Sequence, residues 1–171
     1  VLNKILLLLS IFATSLLLAN PALAAEARIA LVIGNNAYEH VSALPNARND
    51  ARLIRQTLEN LDFEVIYREN VTTTEMTEVL REFGDRLKMS GSSAVALFYY
   101  AGHGVQSNGQ NYLLPVNLDL KHEADRGEDA LAAADVLETV DDSGSGTKIV
   151  LLDDCRNNRF ATTLSVYGFV D

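Results

Sequence analysis

Two apolar runs, each the length of a buried β-strand, end just before the two residues with the most reactive side chains in this chain. Residues 94–100 lie just before His103, and residues 148–152 lie just before Cys155, the only cysteine. A Gly/Ser stretch precedes each run, as is typical of strands that enter a core from a turn. The pattern predicts that an imidazole and a thiol emerge at the carboxyl ends of core strands, where open parallel sheets usually carry their chemistry.

Strand and helix patterns alternate along most of the chain. Strands are predicted over Arg28–Gly34 and 63–67, and an amphipathic helix over Ala47–Asn60, whose apolar residues recur at the spacing of one helix face. Helices are also predicted over 74–89 and 130–140, and a long polar connection separates the histidine from the second of these. Because such alternation forms a mainly parallel sheet covered on both faces, the predicted fold is an α/β sandwich.

The first 24 residues have the pattern of a secretory signal peptide. Lys4 precedes a charge-free, mostly apolar stretch, and small residues two positions apart follow up to Ala24. The alternative is a retained membrane anchor, although the stretch is shorter than the ~20 residues that span a bilayer. We expect residues 1–24 to be removed and the protein to be exported to the periplasm or the extracellular space, with no membrane association after cleavage.

The composition narrows the classes of partner. The formal net charge is −9 and no Lys/Arg cluster is present, so nucleic acid is not an expected partner, whereas a cationic peptide is a better electrostatic match. A single cysteine excludes an internal disulfide. A lone thiol in an oxidising compartment is either a reactive group or an inert buried one, and both interpretations stay open at this point.

Five sequence blocks stand in a recognisable order along the chain. They are LVIGNNAY (31–38), NARND (46–50), YAGHG (100–104), YLLPV (112–116) and LDDCRNN (152–158). His103 lies 52 residues before Cys155, and a histidine about 50 residues before the nucleophile is the caspase arrangement. The blocks resemble those of the caspase-like cysteine peptidases, most closely the metacaspase and bacterial caspase-like branch. The resemblance covers residues 28–160 and implies a caspase-like three-layer α/β/α sandwich with a mainly parallel sheet.

The resemblance implies a cysteine-type endopeptidase. Cys155 would be the nucleophile, and His103 would take its proton and later protonate the leaving amine. The backbone N–H groups of Gly104 and Cys155 would bind the oxyanion. Without the resemblance, His103 could equally be a core histidine with its hydrogen bonds satisfied.

Two carboxylates are the expected specificity residues. By resemblance, Asp50 and Asp153 would line the pocket for the residue before the cut and favour Arg or Lys, because a guanidinium needs paired acceptors. The implied partner is a peptide or protein substrate cut after Arg or Lys. Alternatively, Asp50 is a surface residue of its helix and Asp153 satisfies backbone donors at a strand end.

The sequence after the cysteine departs from the family pattern. Residues 161–171 do not resemble the further strands that follow in the family, so we expect 28–160 to be the large catalytic part with C-terminal strands missing. The cysteine-bearing strand would then have an uncovered edge, which favours self-association or a separate C-terminal subunit.

Alternative functions remain open. One is a catalytically incompetent caspase-like binding or regulatory module. Another is a flavodoxin-like nucleotide binder, although this chain lacks the glycine fingerprint of nucleotide binding after Gly34. No cofactor or metal site is expected, because the acidic residues lack EF-hand spacing and are interpreted as a solvated loop rather than a calcium site. Those residues are Glu123, Asp125, Glu128, Asp129, Asp141 and Asp142.

Overall fold

A computed structural model describes residues 26–107, 109–119, 129–154 and 166–168, and it describes only the backbone of residues 154 and 166–168. Its strands are β1 (Arg28–Gly34), β2 (Glu64–Glu69), β3 (Val95–Gly102), β4 (Gly104–Ser107), β5 (Gln110–Leu113), β6 (Leu131–Ala132), β7 (Thr147–Asp154) and β8 (Val166–Gly168). Its helices are α1 (Ala47–Asn60), α2 (Thr73–Ser90) and α3 (Ala133–Asp142).

The main sheet has the strand order β2-β1-β3-β7-β8. The first four strands are parallel and β8 is antiparallel. Helix α1 packs on one face through Ala47, Ala51 and Leu58, whereas α2 and α3 pack on the other. Every residue of β3 is buried, as expected for a central strand with helices on both sides. The predicted α/β/α sandwich with a mainly parallel sheet is confirmed.

The longer predicted elements agree closely with the structure. β1 and α1 have the predicted bounds, and α2 extends the predicted helix 74–89 by one residue at each end. A capping box begins α2: the Thr72 hydroxyl accepts from the Glu75 N–H, and the Glu75 carboxylate accepts from the Thr72 N–H at 2.8 Å. These elements were predictable because many residues repeat one period.

Two predictions about the shorter segments are wrong. The polar connection after His103 contains a small antiparallel sheet of order β4-β5-β6. The edge of β7 is covered over Ile149, Val150 and Leu151, which pair with β8. Strands of two to four residues are too short to show an alternation of polar and apolar residues. The Asn-Gly pair at 108–109, between β4 and β5 in the sequence, is nevertheless a hairpin signal that the prediction missed.

Within the described ranges, no helix combines the length and hydrophobicity that crossing a bilayer requires. The predicted signal peptide, residues 1–24, lies outside the described residues and stays a prediction.

Candidate active site

The carboxyl ends of β3 and β7 lie side by side in the sheet. Their parallel register pairs Ala101 with Asp153 and Gly102 with Asp154. His103 directly follows one strand, and Cys155 directly follows the other. Cys155 itself lies outside the described residues, so its role as nucleophile and oxyanion donor stays a prediction.

The His103 ring is held in a defined orientation. Its Nε2 atom lies 2.8 Å from the backbone carbonyl oxygen of Ser42. Because a carbonyl oxygen only accepts hydrogen bonds, Nε2 is the donor, and in the neutral ring Nδ1 carries the basic lone pair. The ring also packs against Tyr38, with centroids 4.6 Å apart and planes tilted by 53°. His103 is half-buried. Because Nε2 donates to the Ser42 carbonyl, Nδ1 is the ring nitrogen that can accept a proton.

Ser42 and Tyr38 belong to the β1–α1 loop, residues 35–46, which is anchored at its start. Asn35 is fully buried; its side-chain amide donates to the Leu114 carbonyl at 3.0 Å and accepts from the Val71 N–H at 3.0 Å. Its backbone N–H donates to the Ala101 carbonyl at 2.8 Å. The loop therefore starts from a point tied to β3 two residues before His103.

Two tyrosine hydroxyls contact the main chain of His103. The His103 N–H donates to the Tyr38 hydroxyl at 2.7 Å, and the Tyr100 hydroxyl lies 2.9 Å from the carbonyl oxygens of His103 and Leu114. The two hydroxyls are 3.2 Å apart. Burial, together with the neighbouring Tyr38, raises the pKa of Tyr100 well above its ordinary value, so this phenol stays protonated at physiological pH.

Gly102 is required by the same hydroxyls. A Cβ atom at this position would lie 2.6 Å from the Tyr38 hydroxyl oxygen and in still closer overlap with that of Tyr100. Gly104, the predicted oxyanion donor, begins β4 opposite Leu113 and is half-buried. Gly102 thus allows the two hydroxyls to approach the main chain beside His103, while the oxyanion role of Gly104 stays a prediction.

The two predicted specificity residues lie on the α1 face at the same edge of the sheet. Asp50 is half-buried in the first turn of α1, and this turn packs against the end of β1, where a Cβ on Gly34 would meet Ala51. Asp153 is exposed, and its Oδ2 accepts from the Tyr99 hydroxyl at 3.1 Å. The described partner of Asp153 is thus a side-chain hydroxyl, and its alternative role toward backbone donors at the strand end stays open. The substrate specificity itself stays a prediction.

No group of three or more His, Cys, Asp or Glu side chains forms a metal site within the part of the chain that the structure describes. Glu123, Asp125 and Glu128 lie outside it. The absence of a cofactor therefore stays an expectation.

Three site components were not predicted: the Ser42 carbonyl and the hydroxyls of Tyr38 and Tyr100. Every residue has a backbone carbonyl, so the identity of residue 42 does not indicate that its carbonyl accepts a hydrogen bond from His103. Tyr38 and Tyr100 stand inside the blocks that carry the family resemblance, but nothing in the sequence pairs residues 62 positions apart.

The comparisons with known proteins agree with this architecture. Human mucosa-associated lymphoid tissue lymphoma translocation protein 1 is 29% identical over 143 residues, which are 83% of this chain and 17% of that protein. Caspase-1 of Mus musculus is 33% identical over 79 residues, 46% of this chain and 19% of its own length. The chain thus spans less than a fifth of these relatives.

A solved structure of a protein from Geobacter sulfurreducens shares the fold with a TM-score of 0.58 and 18% identity, over 75% of this chain and 50% of that one. The sequence model of the caspase domain, a cysteine peptidase family, matches residues 27–169 of this chain. Because this match covers most of the chain and the structure has the α/β/α architecture described above, this chain belongs to the caspase domain family.

Proposed function

We propose that this protein is a cysteine endopeptidase of the metacaspase and bacterial caspase-like branch that hydrolyses peptide bonds after Arg or Lys. The observation that carries the proposal is the Nε2 contact of His103 with the Ser42 carbonyl. It leaves Nδ1 as the basic nitrogen at a strand end whose neighbouring strand leads directly into Cys155. A core histidine can also donate to a backbone carbonyl, so the position of His103 beside the strand that leads into Cys155 supports the proposal together with this contact.

The proposed reaction uses this chain's own groups throughout. His103 Nδ1 takes the proton of the Cys155 thiol, and the thiolate attacks the carbonyl carbon of the scissile bond. The N–H groups of Gly104 and Cys155 stabilise the oxyanion, a contribution of roughly 3 kcal/mol per donor. The imidazolium then protonates the leaving amine, and water, deprotonated by the same imidazole, hydrolyses the acyl-enzyme and frees the cysteine thiol.

The proposed specificity follows from charge. Asp50 and Asp153 place two carboxylates on one face of the sheet edge. The Tyr99 hydroxyl donates to Oδ2 of Asp153, and a carboxylate can accept further hydrogen bonds at both oxygens. A guanidinium or ammonium group is the substrate side chain that two carboxylates favour, and an aspartate side chain is the one they repel.

Covalent labelling tests the proposal directly. An arginyl chloromethyl ketone should modify the wild-type protein, while Cys155→Ala and His103→Ala should each abolish modification. His40→Ala is the matched control, since His40 is exposed and pairs only with the exposed Glu39 among its described contacts. An aspartyl chloromethyl ketone should label poorly.

Contrary outcomes are specific. Undiminished labelling of Cys155→Ala would remove the nucleophile from the proposal, and preferential labelling by the aspartyl reagent would reverse the specificity. Wild-type protein that binds Arg peptides without labelling or cleavage would support the non-catalytic module instead.

We expect labelling to be unchanged by a calcium chelator. Loss of labelling with the chelator and its recovery with calcium would support the calcium alternative.

A further inference from the structure

The hydroxyls of Tyr38 and Tyr100 form a hydrogen-bonded ring with the main chain of His103. Tyr100 has one proton to donate, and its two carbonyl neighbours can only accept. In the arrangement consistent with these contacts, Tyr38 accepts from the His103 N–H and donates to Tyr100, whose single proton is shared between the carbonyls of His103 and Leu114. The chain of bonds begins and ends on His103.

Tyr38 also contacts the part of His103 that would do the chemistry. Its ring packs against the imidazole at 4.6 Å, and it lies four residues before Ser42 in the same loop. A shift of Tyr38 therefore displaces the support of the imidazole and the carbonyl acceptor of Nε2 together. The side chain thus couples the backbone position of His103 to the orientation of its ring.

The two tyrosines differ in how much each hydroxyl is needed. The His103 carbonyl also accepts from the Leu114 N–H at 3.0 Å, and the Leu114 carbonyl also accepts from the Asn35 side chain at 3.0 Å. Loss of the Tyr100 hydroxyl would leave both carbonyls with one partner. The Tyr38 hydroxyl is the described acceptor for the His103 N–H, and its loss would orphan a part-buried donor. The Tyr38 hydroxyl should therefore matter more.

We propose that Tyr38 and Tyr100 are positioning residues for His103, which hold its main chain so that Nε2 stays on the Ser42 carbonyl and Nδ1 stays free to accept a proton. The proposal rests on the proposed function for its catalytic consequence, but the orientation of the ring can be measured without any turnover.

The test combines a spectroscopic readout with kinetics. Long-range proton–nitrogen correlation spectra of protein labelled with ¹⁵N-histidine report which ring nitrogen of neutral His103 carries the proton. We expect the Nε2–H form in the wild type, a mixture of both tautomers in Tyr38→Phe and a smaller change in Tyr100→Phe. With Arg peptides, Tyr38→Phe should lower kcat by about 10- to 100-fold with KM nearly unchanged, since a misplaced general base weakens only the chemical step.

Tyr67→Phe is the matched control. It removes another part-buried tyrosine hydroxyl, which donates to Glu69 at 2.6 Å on the outer strand β2, and it should leave both the His103 tautomer and kcat as in the wild type. If Tyr38→Phe fails to fold, Tyr100→Phe still tests the ring, because each carbonyl keeps a partner.

The possible failures are distinguishable. Tyrosine variants with wild-type His103 tautomer and wild-type kcat would overturn the positioning role while leaving the proposed function intact. A changed tautomer in a protein that is inactive even as wild type would support the positioning role and contradict the proposed function. Equal effects of Tyr67→Phe and Tyr38→Phe on the tautomer would show that loss of any such hydroxyl disturbs His103 through general destabilisation of the fold. That result would overturn the proposal.

Discussion

The Nε2 atom of His103 lies 2.8 Å from the carbonyl oxygen of Ser42, 61 residues earlier in the chain. This contact joins the β1–α1 loop to the end of β3 and assigns opposite roles to the two ring nitrogens. It depends on where the loop lies and not on the side chain of residue 42. The conformation of that loop is therefore as important to the candidate site as the histidine itself.

Gly102→Ala should disturb the site without touching the histidine. The added methyl group overlaps the hydroxyls of Tyr38 and Tyr100, so we expect the free energy of unfolding to fall by about 1–3 kcal/mol. Urea denaturation measures this loss. In the Tyr100→Phe background the same substitution should cost somewhat less, because the nearest atom, the Tyr100 hydroxyl oxygen, is gone, whereas the ring carbon Cζ at 2.6 Å and the Tyr38 hydroxyl remain. Additive losses in the double variant would contradict the overlap with the Tyr100 hydroxyl as a cause.

Asn35→Ala should be among the more destabilising single substitutions in this chain. It leaves the buried Val71 N–H without its described acceptor and removes a donor from the Leu114 carbonyl. We expect a loss of about 2–4 kcal/mol in chemical denaturation. Asn111→Ala, which removes an exposed amide bonded to Gln106, should change stability by less than about 0.5 kcal/mol. Similar losses for the two variants would exclude the buried hydrogen bonds as the reason.

Glu69→Gln should make stability less dependent on pH. Burial raises the pKa of Glu69, but the Tyr67 hydrogen bond and the guanidinium groups of Arg48 and Arg52 outweigh it, so the pKa lies below its ordinary 4.5. A lowered pKa in the folded state stabilises the fold above pH 4.5, and the contribution disappears as the pH falls through the folded-state pKa.

The variant should therefore be less stable than the wild type by about 1–2 kcal/mol at neutral pH, with the difference shrinking below pH 4.5. Denaturant titrations at a series of pH values measure this. Glu59→Gln, which loses one exposed pairing with Arg55, should show a smaller difference at neutral pH. A pH-independent difference for Glu69→Gln would contradict the assigned role of its charge.

Asp153→Asn should weaken discrimination for a positive charge in the substrate. A charge-assisted hydrogen bond is worth about 1.5–3 kcal/mol, so kcat/KM on Arg peptides should fall by about 10- to 150-fold, while a citrulline peptide, which lacks the charge, should be affected little. Tyr99→Phe, which removes the hydroxyl bonded to Asp153, should give a smaller loss of the same kind.

Asp85→Asn is the control for that experiment, since Asp85 is an exposed residue of α2 paired with Arg81. It should leave the ratio of Arg to citrulline cleavage unchanged. An unaltered ratio in Asp153→Asn would remove Asp153 from the specificity pocket.

The periodic elements were predictable because each repeats one simple pattern. β1 is a continuous buried run, and the apolar face of α1 recurs at helix spacing, so their bounds follow from the sequence. β4, β5 and β6 are two to four residues long and form through pairing with each other. β4 and β5 are consecutive strands, and the Asn-Gly pair between them in the sequence is a local hairpin signal that the prediction missed. β6 pairs with β5 from 18 residues further along the chain, so local pattern does not reveal it.

By itself, the sequence determined the layered α/β architecture and the placement of His103 at the carboxyl end of a core strand, because hydrophobic periodicity and strand length are local properties. Only the tertiary structure decided which nitrogen of His103 donates to a carbonyl, which one can accept a proton, and what holds the residue in place. Those features come from the Ser42 carbonyl and the hydroxyls of Tyr38 and Tyr100, brought together across more than 60 residues by the packing of the β1–α1 loop on β3. A main-chain acceptor and a contact between distant hydroxyls have no local sequence signature, so these contacts could be identified only in the folded structure.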